Sequence, residues 1–109
     1  MISSVTKKAS HRMLPVAYTP IAEKYFKKLK EKNLKKAFKE AIIDIRKNPD
    51  IGEAKAGDLR GILSLDIRYN KINFELAYRI SKLETGNMVV IIMAGTRENF
   101  YKELKRYMK

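Results

Sequence analysis

Two alternating stretches, ILSLDIRY (62–69) and INFELAYRI (72–80), flank the polar pair Asn70 and Lys71. Alternation with period two reads as strands, and a two-residue polar connection reads as a hairpin turn. Antiparallel pairing across that turn sets Arg68 against Asn73, Asp66 against Glu75 and Ser64 against Ala77. Two carboxylates then stand face to face. Like charges placed so repel, and either Arg68, diagonal to Glu75, relieves them or one carboxyl keeps its proton to a higher pH than usual. A carboxyl raised toward neutrality can serve as general acid or base. The plainer reading is a solvated strand face of mixed charge.

Arg97, Tyr101 and Lys105 recur at intervals of four and share one helical face. If Arg97 opens that helix, a phosphate there would meet both the guanidinium and the free N–H groups of the first turn. The plainer reading packs the arginine over a half-buried tyrosine. Together the two groups suit cleavage of a phosphodiester by its internal 2′-hydroxyl. That reaction needs a base, cations for the charged transition state, and a proton for the departing oxygen.

Other chemistries find no residues. Cysteine is absent and His11 is the sole histidine, so thiolate nucleophiles, zinc sites and histidine triads are not expected. Gly52, Gly57 and Gly61 match neither the P-loop nor the dinucleotide fingerprint, so no nucleotide cofactor or metal is expected. The chain has 24 Lys and Arg against 12 Asp and Glu, a net charge of +12, which favours a polyanionic partner. The excess lies in residues 1–13, 20–48 and 97–109; residues 49–96 balance at 6 against 6. The longest apolar run, Met88 to Ala94, is too short to cross a bilayer, and the first twelve residues have no apolar signal-peptide region. A cytoplasmic protein without a membrane partner is expected.

With 109 residues, 45% of them hydrophobic, the chain supports one core. Residues 1–12 read as a basic tail, removable by an internal start at Met13, and 13–109 as the domain. Leu14 to Thr19 is strand-like. Thr19 and Pro20 then open a helix in which Ile21, Tyr25 and Leu29 form a stripe beside Ala22 and Phe26. Asn33 separates it from a second helix with Leu34, Ala37, Phe38, Ala41, Ile42 and Ile45 inward, ended by Asn48 and Pro49. Residues 49–61 read as a surface loop. After the hairpin and a turn at Glu84 to Asn87, MVVIIMA is apolar on both faces and reads as a mid-sheet strand. The last helix follows, with Thr96 as its cap and a stripe of Phe100, Leu104 and Met108. The expected fold class is a small α+β domain: a strand, two antiparallel helices, a three-stranded antiparallel continuation of the sheet and a C-terminal helix.

This order, with KAGDLRGILSLDIRY, INFELAYRI and MVVIIMAGTRENFYKEL, resembles the RelE/ParE superfamily of toxin–antitoxin toxins over Leu14 to about Tyr107. The most recognisable pieces are Leu59 and Gly61 before the second strand, Tyr78 late in the third, and a glycine-x-arginine (Gly95, Arg97) followed by Tyr101. RelE-like members are small basic ribonucleases that cut mRNA in the 30S decoding site of the ribosome, whereas ParE-like members poison DNA gyrase. The resemblance implies that Arg97 is the phosphate-stabilising arginine, that Arg68 is the second basic position, and that Tyr101 stacks on a base or positions substrate. It also implies a cognate antitoxin, acidic or partly disordered, covering the basic surface. Lys71, Lys105 and Arg79 are the expected further contacts to RNA. Glu75 and Asp66 depart from the pattern, standing where RelE-like enzymes usually carry arginine and lysine. Related toxins use carboxylates as bases, so Glu75 or Asp66 could take the 2′-hydroxyl proton. The expected function is ribosome-dependent, metal-independent mRNA cleavage; the alternatives are gyrase inhibition or a non-enzymatic RNA- or ribosome-binding module.

Overall fold

In the computed structural model, which describes residues 13–108, Asn70 and Lys71 turn the chain between two strands with φ of 51° and 67°. Positive φ at both central residues matches the right-handed twist of a hairpin, and fixes the register. Arg68 faces Asn73, Asp66 faces Glu75 and Ser64 faces Ala77, as alternation requires. The tail with His11, and Lys109, lie outside the described residues.

The elements in chain order are β1 (Val16–Tyr18), α1 (Pro20–Lys28), α2 (Lys32–Lys47), β2 (Glu53–Ala54), β3 (Leu63–Tyr69), β4 (Ile72–Leu83), β5 (Gly86–Thr96) and α3 (Arg97–Met108). The five strands lie in the order β1-β5-β4-β3-β2, with β1 parallel to β5 and the others antiparallel. This is the expected α+β domain with one strand more. No helix among the described residues is long and apolar enough to cross a membrane.

Thr19 caps α1 as read: its Oγ1 accepts from Ala22 N and donates to Ile92 O at 2.6 Å, tying the helix start to β5. The break between the helices is not at Asn33. Leu29 closes α1 with its N–H on Tyr25 and Phe26 carbonyls, and Glu31 caps α2, leaving Asn33 inside the second helix. An acidic side chain at a helix start meets the positive end of the dipole, and outcompetes the asparagine two residues on. Ile21 and Met108 are also more open than their stripes suggested, at 38% and 41% exposed.

The sheet has a core on each face. On one, Leu34, Phe38, Ile42 and Ile45 of α2 pack with Ala22 against Phe74, Leu76, Tyr78, Val89 and Ile91. On the other, Phe100 and Leu104 of α3 pack on Leu59, Ile62, Ala77, Ile92 and Met93. The doubly apolar strand β5 thus lies between helices, second in the sheet, with β4 at its centre. A register shift pairs Ala77 with Met93 but Tyr78 with Ile91, so Ile92 and Met93 both serve the α3 core. Leu104 is fully buried, and that burial, about 1.5–3 kcal/mol relative to exposure, seats the helix that carries Arg97 and Tyr101.

Residues 49–61 are more ordered than a loop. Short helical turns at Pro49–Ile51 and Gly57–Leu59 flank β2, whose Glu53 and Ala54 pair with Ser64 and Leu63. Tyr78, fully buried, pins the segment: its hydroxyl donates to Pro49 O at 2.6 Å and accepts from Gly52 N at 2.9 Å. A Cβ at Gly52 would stand 2.5 Å from that oxygen, so space alone demands glycine. Burial pushes the Tyr78 hydroxyl's pKa up. Removing this hydroxyl in Tyr78→Phe strands a donor and an acceptor, and should cost about 1–3 kcal/mol. Urea unfolding of the variant measures it; a loss below about 0.3 kcal/mol would show that the hydroxyl does not hold the segment.

A candidate anion-binding and acid–base site

The α3 face of the sheet carries, side by side, Ser64 and Asp66 of β3, Glu75 of β4 and Gly95 of β5. The last strand runs straight into α3, so Arg97 follows Gly95 by two residues and begins the helix. Gly95, opposite Glu75, brings no side chain, and a Cβ there would meet only Phe100, at 3.9 Å. Arg97 Nε stands 3.5 Å from Glu75 Oε2, and its Nη1 stands 4.0 Å from Asp66 Oδ2. The Arg97 side chain is 56% exposed, and that of Glu75 not at all.

One turn further along α3, Tyr101 OH donates to Glu75 Oε1 at 3.0 Å and lies 3.2 Å from Ser64 Oγ. Glu75 Oε2 has no hydrogen-bond partner, since the Arg97 contact is an ion-pair distance without hydrogen-bond geometry. Burial pushes the Glu75 carboxyl up to about 7, helped by the facing Asp66 carboxylate and opposed by Tyr101 and Arg97. The sequence left two ways to relieve the carboxylate pair. Both a raised carboxyl and a cation are present, but the cation is Arg97. Arg68 turns to Asn73, with Nη1 3.3 Å from Oδ1.

Lys55 was not singled out by sequence, because it sits in a segment read as loop. The pairing of β2 with β3 carries it over the Tyr101 ring, Nζ 4.9 Å from the centroid, with Glu53 Oε1 at 3.2 Å. Burial works to lower the Lys55 pKa, but Tyr101 and Glu53 outweigh it and the result is a rise. Ser64, opposite Ala77 as expected, is buried beside Tyr101.

The other expected residues stand apart from this cluster. Lys71 is exposed at the hairpin tip. Arg79 shares the Glu75 face of β4 but lies four residues, about 13 Å, along the strand, bonded to Ser81 Oγ at 2.6 Å. Lys105 lines an open groove of about 640 Å³ with Asp58, Lys102, Arg106 and Met108. No group of three or more metal-ligating side chains occurs among the described residues.

A carboxyl that binds its proton more tightly folded than unfolded makes the native state take up protons between the two pKa values. Stability therefore falls as pH rises from about 5 to 7, by roughly 1 kcal/mol per unit from this group, and is fully present only below that window. Glu75→Gln should flatten the slope and be more stable than the parent at pH 8. Urea unfolding at pH 5 to 8 measures both, and parallel pH profiles for the two proteins would refute the raised carboxyl.

The profile of a family described as ParE-like toxin of type II bacterial toxin-antitoxin system matches residues 16–105. No curated protein matches the chain in sequence. Among solved structures, a double arginine-to-alanine variant of the E. coli toxin RelE in the free state is 18% identical, with a TM-score of 0.64 over 86% of this chain and 97% of that one. The RelBE2 toxin–antitoxin complex from Mycobacterium tuberculosis gives 24%, 0.61, 79% and 93%, and a YoeB/ParE toxin from Agrobacterium tumefaciens gives 14%, 0.63, 77% and 99%, in the same order. At these identities the structural likeness is one of fold. On the family match, and with the fold in agreement, the chain belongs to the ParE-like toxins of type II bacterial toxin–antitoxin systems, within the RelE/ParE superfamily.

Proposed function

We propose that this toxin inhibits translation by cutting mRNA on the ribosome, and that the cluster of Asp66, Glu75, Arg97 and Tyr101 does the cutting. One observation carries the reading. A buried carboxyl with a pKa near 7 lies within ion-pair distance of a half-exposed arginine at a helix start. A site meant only to bind an anion has no use for such a group, whereas proton transfer at neutral pH does.

In the reaction, the 2′-oxygen of one nucleotide attacks the adjacent phosphorus, its proton passing to a carboxylate of the Asp66–Glu75 pair. The bond from phosphorus to the 5′-oxygen breaks, that oxygen takes a proton, and a cyclic 2′,3′-phosphate and a 5′-hydroxyl remain. Arg97, aided by the N–H groups of the first turn of α3, stabilises the charge on the phosphate oxygens. Tyr101 holds Glu75 and stacks on a base or positions the substrate, while Lys55 over its ring adds a cation. Arg68 and Lys71 lie at the hairpin end, beyond Asp66, where flanking phosphates would run. Lys71 keeps a positive φ that glycine fills more readily, which fits a lysine kept for its charge. Lys105 and Arg79 contact RNA further out. An acidic antitoxin covers the basic surface until it is removed.

The ParE-like character of the matching family favours a second reading, in which the target is DNA gyrase and the cluster is not catalytic. The two part in a reconstituted translation reaction. With purified ribosomes, Arg97→Ala should abolish cleavage and Glu75→Gln should slow it by about 10²-fold or more. Primer extension reads the cuts. Full cleavage by Arg97→Ala would take the arginine out of the mechanism, and no cleavage by the parent, with gyrase supercoiling inhibited, would establish the second reading.

A further inference from the structure

Resting on that reading of the site, we propose that Arg97 is a gate over the Asp66–Glu75 pair: a phosphodiester draws the guanidinium away from the two carboxylates, and the pair holds a shared proton more tightly as it leaves. Arg97 has two competing sets of partners within one side-chain swing. Inward lie Glu75 Oε2 at 3.5 Å and Asp66 Oδ2 at 4.0 Å; outward lies solvent, which already reaches 56% of the side chain. The inward contacts have neither hydrogen-bond geometry nor short distance, and Oε2 is left unpartnered in a fully buried residue. An ion pair so loosely made is poorly compensated, and an anion at the start of α3 competes with it on good terms.

What happens to the proton follows from what else faces Glu75. From β3 there is Asp66, across the ladder; from α3, Arg97 and the Tyr101 hydroxyl on Oε1; from β5, Gly95, which brings nothing. Lys55 meets the ring of Tyr101 and the carboxylate of Glu53, and Arg68 meets Asn73. Arg97 is therefore the one cation in contact with the carboxylate pair among the described residues. Its withdrawal leaves two like charges opposed, one of them out of water, and a proton removes the repulsion. The direction agrees with Glu75 already standing high while Arg97 holds it down.

The consequence is chemical. With one proton on the pair, the exposed Asp66 carboxylate accepts the 2′-hydroxyl proton and the Glu75 carboxyl gives its own to the 5′-oxygen. After one turnover the proton sits on Asp66, and transfer within the pair restores the starting state. Binding of substrate thus favours the state in which one carboxyl is acid and the other base.

The test is a carbon-13 NMR titration of the Glu75 carboxyl in three samples. These are the full chain alone, the full chain saturated with a dinucleoside monophosphate blocked by 2′-O-methylation, and Arg97→Ala. The gate predicts an apparent pKa raised by about one unit or more, both by the dinucleotide and by the substitution. A pKa unmoved or lowered by the dinucleotide overturns it, as does failure of the dinucleotide to bind in an Arg97-dependent way. If Arg97→Ala does not fold, the first two samples still decide. Ribosomes play no part, so a toxin that fails to cut mRNA would leave this result standing, and an unmoved pKa would leave mRNA cleavage standing.

Discussion

The contact between Arg97 and the buried Glu75 is the constraint around which the rest of the molecule is arranged. A carboxylate with no exposed surface in the middle of a sheet costs several kcal/mol unless something compensates it. Compensation here is partial, with one hydrogen bond from Tyr101 and one loose ion pair from Arg97. Both partners come from α3, so the seating of that helix by Phe100 and Leu104 governs the electrostatics of the sheet beneath it. A carboxyl kept near its proton at neutral pH is the outcome, held at a cost in stability.

Much of this was legible in the sequence, for identifiable reasons. Period-two alternation and the Asn70–Lys71 pair fixed the hairpin register, and with it the meeting of Asp66 and Glu75. The four-residue spacing put Arg97 and Tyr101 on one face, and both reach Glu75. What escaped depended on contacts distant in sequence. Nothing in PDIGEAKAGDLRG announces that Glu53 and Ala54 will zip onto β3, since a two-residue strand has no period to detect. Lys55 stayed hidden with it, whereas Ser64 sat on a legible strand and only its contact with Tyr101 was not foreseeable. That Arg97 rather than Arg68 meets the carboxylate pair depends on how the helix start crosses the strands, which strand diagonals alone do not reveal.

The two faces of the sheet divide the labour. The α1–α2 face holds the larger aromatic core, with Phe38 set edge-on against Phe74 at 5.8 Å between ring centres, and turns its lysines outward. The α3 face is thinner and holds the polar cluster. The helices carry the excess of positive charge, which favours a polyanion, while the cluster joins two carboxylates from the balanced middle of the chain to Arg97 and Tyr101 of the last helix. Charge composition therefore speaks for the class of partner, and only the site speaks for the reaction.

The central claim, that this cluster breaks RNA through the 2′-hydroxyl, is tested most directly by mapping RNA 5′ ends after brief expression of the toxin, with and without a block on translation. New 5′-hydroxyl ends inside translated reading frames, gone when translation is blocked, are the predicted result. Intact mRNA together with damaged DNA would contradict it.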